Sequence, residues 1–433
     1  MAKRRGLAGQ TFHTLATLLA GQGAQIAAGI AIARAFGPAG KGIVSYAGIL
    51  IMFALSAADG IKAAIAYQAG AGARSPRSVH GAALIAAGAA ALTGTAAFAA
   101  LAVLYPQQPA YAAVACAFGF ALYMHTVSQH YLMAGQVEQV NSRIMLTAGA
   151  GGSLAMLAAT ILGAPLPVVL GIWVLSFVAG AIANGVGLRR ITGGAPAFDD
   201  APLIREHATF GAKAALGSFV TLLAQRVDVL IVGALLSPAA LGIYTLGLAA
   251  GESAWQFSKS LWWSASGRIA TEPRADAAAL TARVVRTTLA VQAAIAAVLF
   301  VAGPWLVVAL YGARFAEAGV VLRIVLPGIA LYAADGVLRT FITVRDARPA
   351  FVTWVECANL VVCAVLTVAT IGRYGIEGAA VATTVAYAGA FLVKAWAFSS
   401  STGIAMHELF VPRLGEVAAA VRAPLGRLRA RTP

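Results

Sequence analysis

Thirteen charged residues interrupt stretches of this sequence that are otherwise almost wholly apolar. Eight are cations: Arg34, Lys62, Lys213, Arg226, Lys259, Arg323, Arg339 and Lys394. Five are acids: Asp59, Asp228, Glu252, Asp335 and Glu356. Inside a bilayer each costs at least about 2.5–3.5 kcal/mol, so each needs a partner, water or a ligand. Lys and Arg can hold a phosphate group, and Arg can do so through two parallel hydrogen bonds. A carboxylate drawn out of water can balance such a cation, or take up H⁺ or Na⁺. Some spacings already suggest local pairs. Asp335 and Arg339 stand i,i+4 with the acid first, and Asp59 and Lys62 stand i,i+3; both read as structural salt bridges. Glu252, Gln256 and Lys259 make a polar stripe along one helical face, which should meet water or another helix bundle.

The elements that carry these residues follow from composition. Hydrophobic residues make up 60% of the 433 positions and charged residues 11%, against roughly 45–50% and about 25% in a soluble domain. Such a chain cannot clothe itself in polar surface, so its outside must face lipid. An α-helix needs about 20 apolar residues to cross the hydrocarbon core. Twelve segments qualify: 11–36, 42–69, 79–104, 110–133, 144–163, 166–188, 207–235, 239–263, 287–311, 319–343, 351–371 and 378–398. They predict an all-α membrane protein. The N-terminal stretch is too long for the apolar region of a cleavable signal peptide.

Orientation comes from the loops. With the first span entering from the cytoplasm, the cytoplasmic loops and both termini hold twenty Lys and Arg, and the outer loops hold three: Lys41, Arg314 and Arg373. Both termini are therefore expected in the cytoplasm. The net charge of +15 reads as this topology signal, not as a nucleic-acid footprint. The arginine-rich tail suits contact with anionic lipid headgroups. Lys62, Lys213, Lys259, Arg339 and Lys394 fall toward the cytoplasmic ends of their spans, where a long side chain can also reach the interface. Arg34 and Arg323 fall near the outer ends. Cavity lining and interfacial reach are both open for these seven. Arg226, Asp228 and Glu252 lie deeper, and each acid can serve either an ion pair or ion coupling. Trp262-Trp263 read as an interfacial belt, and Trp255 as core or a sugar-stacking ring.

The spans divide into an N-terminal six-helix bundle (1–188), a polar cytoplasmic linker (189–206), a C-terminal six-helix bundle (207–398) and a basic tail (399–433). The halves share a motif: FGPAGKGIVSYAG at 36–48 and LSPAALGIYTLGL at 236–248 match Pro38 with Pro238 and Gly42 with Gly242, at an offset of 200. Parallel six-helix repeats suit a transporter whose halves rock about a central cavity.

Three stretches carry a likeness to a known family: IAIARAFGPAGKGIVSYAG at 30–48, QRVDVLIVGALLSPAALGIYTLGLAAGE at 225–252 and GIEGAAVATTVAY at 375–387. The chain resembles the polysaccharide transporters of the multidrug/oligosaccharidyl-lipid/polysaccharide exporter superfamily, which include Wzx-type flippases. The resemblance implies two pseudo-symmetric six-helix bundles of the kind found in multidrug exporters. It also implies a flippase for polyprenyl-diphosphate-linked repeat units of O-antigen, capsule or exopolysaccharide in the bacterial inner membrane. In that family spans 1, 2, 7 and 8 line much of the cavity. Arg226, Lys259, Lys62, Lys213, Arg34 and Arg339 then become candidates for the substrate's phosphates, and Asp228, Glu252, Asp59 and Asp335 for the coupling ion. The implied partners are the lipid-linked oligosaccharide, membrane lipids and a polysaccharide polymerase or assembly protein. Relatives that flip the peptidoglycan precursor commonly carry fourteen helices, so twelve spans and a basic tail speak against that substrate. A drug exporter of the same superfamily is the first competitor, and a cationic cavity argues against it.

Enzyme chemistry finds little support. No phosphate-binding Walker loop, G-x-S-x-G turn or dinucleotide fingerprint is present, and the six histidines have no zinc spacing. Cys116, Cys357 and Cys363 lie in apolar runs and form no disulfide framework. A membrane glycosyltransferase or polymerase would be expected to carry a sizeable outer loop, and the outer loops predicted here are all short. No cofactor is expected beyond H⁺ or Na⁺.

Overall fold

A computed structural model describes residues 7–70, 75–133, 149–192 and 194–411. The arginines of the tail, Lys3 to Arg5 and Arg143 lie outside the described residues, as do the side chains of Arg189, Arg190, Gln256 and Trp263. Among the described residues all regular structure is helical: α1 (Leu7–Gly70), α2 (Pro76–Leu104), α3 (Pro109–Met133), α4 (Gly152–Ile161), α5 (Leu166–Thr192), α6 (Ala201–Leu235), α7 (Pro238–Glu252), α8 (Trp255–Thr271), α9 (Arg274–Tyr311), α10 (Ala316–Val344) and α11 (Pro349–Thr402), with short 3₁₀ turns at Ala313–Phe315 and Met406–Leu409.

Eight of these helices are long and apolar enough to cross a membrane. Two of the eight are hairpins of crossings. Run straight, the 64 residues of α1 would span about 96 Å, roughly three hydrocarbon cores. Instead Gly37 takes φ 66°, ψ −167°, and Pro38 starts a second arm. A Cβ on Gly29 would lie 3.8 Å from Lys41 Nζ, although a straight helix would separate these residues by about 18 Å. The chain has doubled back. In α11 Gly375 (φ 54°, ψ −133°) does the same. It brings Cys363 Sγ within 4.0 Å of Thr383 Oγ1, twenty residues on. The loops expected at 37–41 and 372–377 thus shrink to single glycines, because only glycine takes positive φ without strain.

One further crossing is broken in the other sense. α7 and α8 follow each other through Ser253 and Ala254, both with helical dihedrals. With the described part of the fifth span, Gly149–Ile161, the count is twelve crossings. Pro38 and Pro238 each stand at the first position of a second arm, so the repeated motif marks the same place in both halves.

Contacts divide the chain into two units, 1–222 and 223–433; the division falls within α6. In the first unit α3 packs against α1, α2 and α5. Its interior is built of small residues: Ala54, Ala58, Ala64, Ala82, Ala117 and Ala121 are fully buried. Small side chains let backbones approach closely, which is how helices gain packing energy in lipid. At Gly60 an added Cβ would run into the backbone of Gly211. Gly60→Val is therefore expected to destabilise this unit by about 1–3 kcal/mol through overpacking, read as a lower unfolding temperature of the purified protein; an unchanged temperature would show that α1 and α6 can part at no cost.

In the second unit α10 is central, packed against α7, α8, α9 and α11. Its core includes Ile269, Val285, Leu338, Phe341, Phe391, Phe398 and Leu409. Outward faces expose Leu92, Val301, Trp305 and Trp354, an apolar exterior suited to lipid.

Candidate functional site

The deep charges of the second unit are gathered into three constellations. In the first, Arg226 on α6 grips Glu252 at the end of α7 through two parallel bonds, Nη1–Oε1 at 2.6 Å and Nη2–Oε2 at 2.9 Å. Both side chains are largely buried, 13% and 15% exposed. Two residues proposed for different tasks, anion binding and ion coupling, are thus partners. The fork of Arg226 is occupied, and its buried Nε–H has no partner.

Beside this pair stands an aromatic group. Tyr332 and Tyr387 stack at 4.3 Å, and Trp255 lies 5.7 Å from Tyr332. The Trp255 Nε1–H donates to the Ile329 carbonyl at 3.1 Å, and the Tyr387 hydroxyl donates to the Gln225 carbonyl at 3.2 Å. Trp255 is part of the packing. Trp262 departs from the expected interfacial belt: it donates to Thr340 Oγ1 at 2.8 Å and packs on the core.

The second constellation is a closed cluster. Lys394 Nζ bonds both Asp335 oxygens, at 2.7 and 2.9 Å, and Glu356 Oε1 at 2.6 Å. All three side chains are 0–2% exposed. This corrects two expectations. Asp335 is held by Lys394, 59 residues away, and not by Arg339 across one turn. Lys394 neither reaches an interface nor lines a cavity. The cause is the reversal at Gly375, which lays the second arm of α11 against α10. Arg339 is half-buried in the field of both carboxylates. Two acids and two bases make this group neutral, so it has no need of a further ion.

The third is Asp228, 1% exposed. Its Oδ2 accepts from the Tyr244 hydroxyl and from Thr383 Oγ1, the latter at 2.7 Å. Its Oδ1 has no partner. Neither partner of Oδ2 is a cation. Cys363 touches Thr383, and Asn359, Cys363 and Thr367 share one face of α11 by i,i+4 spacing. The buried side-chain oxygens of Asn359 and Thr367 also lack partners. A carboxylate with hydroxyls around it, no contact ion pair among the described residues and only the field of Arg226 nearby suits a bound proton or small cation, whose ligands would be oxygens. Tyr244, Thr383 and the α11 stripe were not singled out by the sequence; neutral polar residues in an apolar helix give no signal until their neighbours are known.

In the first unit the expected Asp59–Lys62 pair forms, at 2.6 Å, with Asp59 half exposed. Arg34 and Lys213 are exposed there, and Lys259 is exposed in the second unit. The first unit also gathers histidines that spacing did not connect: His80 Nδ1 lies 3.3 Å from His130 Nε2, and His207 Nδ1 lies 2.8 Å from Gln68 Oε1.

The fold and these buried charges define a class: multi-pass membrane proteins built like the transporters of the multidrug/oligosaccharidyl-lipid/polysaccharide superfamily. The chain is similar in structure to a lipid II flippase, MurJ, in an inward closed conformation, with a TM-score of 0.72 at 12% identity over 98% of this chain and 93% of that one. It is similar to an inward-facing multidrug resistance MATE family transporter, with a TM-score of 0.65 at 14% identity over 88% of this chain and 94% of that one. A transporter of the same superfamily from Pyrococcus furiosus, described as having a binding pocket of reverse polarity, gives 0.57 at 13% over 90% and 94%. No curated protein matches the sequence. Residues 31–319 match the model of the polysaccharide biosynthesis protein family, and the chain belongs to that family.

Proposed function

We propose that this protein is a flippase for polyprenyl-diphosphate-linked oligosaccharides. It moves a repeat unit of O-antigen, capsule or exopolysaccharide from the cytoplasmic to the periplasmic leaflet of the bacterial inner membrane, by alternating access and without enzymatic chemistry. Family membership supports this, as does a fold shared with a lipid II flippase. The observation that carries the substrate class is the division of the cations. Those deep in the second unit are neutralised internally, while Lys213 and Lys259 are exposed, where they can meet the diphosphate. Asp228 takes the coupling ion, H⁺ or Na⁺. Both termini face the cytoplasm, and a polysaccharide polymerase receives the product.

The test is mass spectrometry of polyprenyl-linked oligosaccharides in cells depleted of the protein and lacking any redundant flippase. A defined repeat unit should accumulate while surface glycan is lost. An unchanged lipid-linked pool with normal surface glycan would refute the reading, and drug sensitivity instead would point to an exporter of small molecules. Lys259→Gln, which breaks no hydrogen bond or ion pair among the described residues, is expected to reduce surface glycan severalfold at an unchanged protein level by immunoblot, since a charge-assisted phosphate contact is worth about 1.5–3 kcal/mol; normal glycan would remove Lys259 from the substrate path.

A further inference from the structure

Lys41 is one of only three cations that the sequence places on the outer side of the membrane. It is only partly exposed. Its side chain turns back across the Gly37 reversal and lines a cavity of about 340 Å³ inside the first unit, with Gly29, His125, Ser153, Trp173 and Ser176 among the other walls. The cavity is bounded by α1, α3, α4 and α5, all of the first unit. Among the described residues neither Lys41 Nζ nor the His125 ring makes a hydrogen bond or an ion pair. The Asp59 carboxylate of the same unit is held by Lys62. Ser176 donates to the Trp173 carbonyl at 2.7 Å, so its hydroxyl hydrogen is already placed.

The internal repeat shows that the fold does not require a cation here. At the offset of 200 that aligns Pro38 with Pro238 and Gly42 with Gly242, Lys41 aligns with Leu241. Leu241 is buried in the second unit at 1% exposure. One copy of the motif fills this place with an apolar side chain; the other aims an ammonium into a cavity. An ammonium partly withdrawn from water without a counter-charge is costly, and an anion entering the cavity supplies that charge. At about 340 Å³ the space lies near the lower end of ligand pockets, roughly 300–1,000 Å³. It admits one ring, not a chain of rings.

We propose that this cavity is an anion site of the first unit. It takes a carboxylate or phosphate group on a ligand no larger than one sugar, with Lys41 as the charge partner, the His125 N–H as a second donor and Trp173 as an apolar wall. The two sources of such an anion are an acidic sugar and a phosphate headgroup. The inference does not rest on the transport reading, because equilibrium binding needs no flux.

The test is calorimetric titration of the purified full-length protein at low salt with glucuronate, inorganic phosphate and glucose. At least one anion should bind and glucose should not. Glucuronate alone assigns the site to an acidic sugar; phosphate binding assigns it to a headgroup. Lys41→Met should weaken binding about tenfold or more, as expected for losing a hydrogen bond to a charged group. Gly29→Leu leaves every charge in place and crowds the ammonium, since even a Cβ there stands 3.8 Å from Nζ; it should weaken binding to a similar extent and serves if Lys41→Met does not fold. Binding of neither anion, or binding that is unaltered in the folded variants, overturns the proposal.

Discussion

Lys394→Met is expected to cost the second unit about 3–5 kcal/mol, a large share of the roughly 5–15 kcal/mol that holds a typical domain folded. The side chain is of similar length and apolar, so packing changes little. Charge balance changes greatly. Asp335 and Glu356 lose their shared ammonium at contacts of 2.6–2.9 Å, and neither reaches water. The prediction is checked by the thermal unfolding of purified protein and by its yield in membranes. Charge accounting supplies the control. Lys394→Met with Glu356→Gln leaves Asp335 opposite Arg339 and no acid in excess, so it should recover more than half of the lost stability. If the double variant unfolds as early as the single one, the cluster acts through shape and not through neutrality.

Asp228→Asn should have the opposite signature. The amide keeps an oxygen for Tyr244 and Thr383 and removes a carboxylate that has no contact ion pair among the described residues, only the field of Arg226. Unfolding temperature should hold or rise, because a buried charge without a contact partner is expensive. Export should nevertheless fall about tenfold or more, the scale of one lost charge-assisted interaction, read as accumulation of lipid-linked repeat units at an unchanged protein level. Wild-type export in this variant would take ion coupling away from Asp228. Loss of both export and stability would make Asp228 a structural residue.

How much of this was legible in the sequence depends on the distance over which each signal acts. The crossings were, because apolar length and the Gly and Pro that interrupt it lie along the chain. The Asp59–Lys62 pair was, because it is closed within one helical turn. Asp335 shows where such reasoning stops. Its i,i+4 neighbour Arg339 is a sound local partner, yet Lys394 holds the carboxylate because α11 folds back at Gly375. Asp228 stood out as a deep acid, but its partners come from 16 and 155 residues away. Trp262 looked like a belt residue from its position near a span end, and only the proximity of α10 revealed Thr340 as the acceptor of its N–H. Charge counting could have gone further: the last three spans carry the acids Asp335 and Glu356 among the bases Arg323, Arg339 and Lys394, a density of charge in apolar helices that asks for a cluster.

The neutrality of the paired deep charges in the second unit also has an electrical meaning. Moving one elementary charge through the membrane potential is worth about 2.3 kcal/mol per 100 mV. Arg226 cancels Glu252, and Lys394 with Arg339 cancels Asp335 with Glu356, so rearranging these groups together does no net work against the field. Asp228 is the exception among the deep charges of this unit. Ionised and empty, it carries one negative charge that the potential can push; with the proposed H⁺ or Na⁺ bound, it would carry none. On the proposed coupling, voltage would therefore bias the empty unit and leave the loaded one alone, a handle for the membrane potential on a single carboxylate.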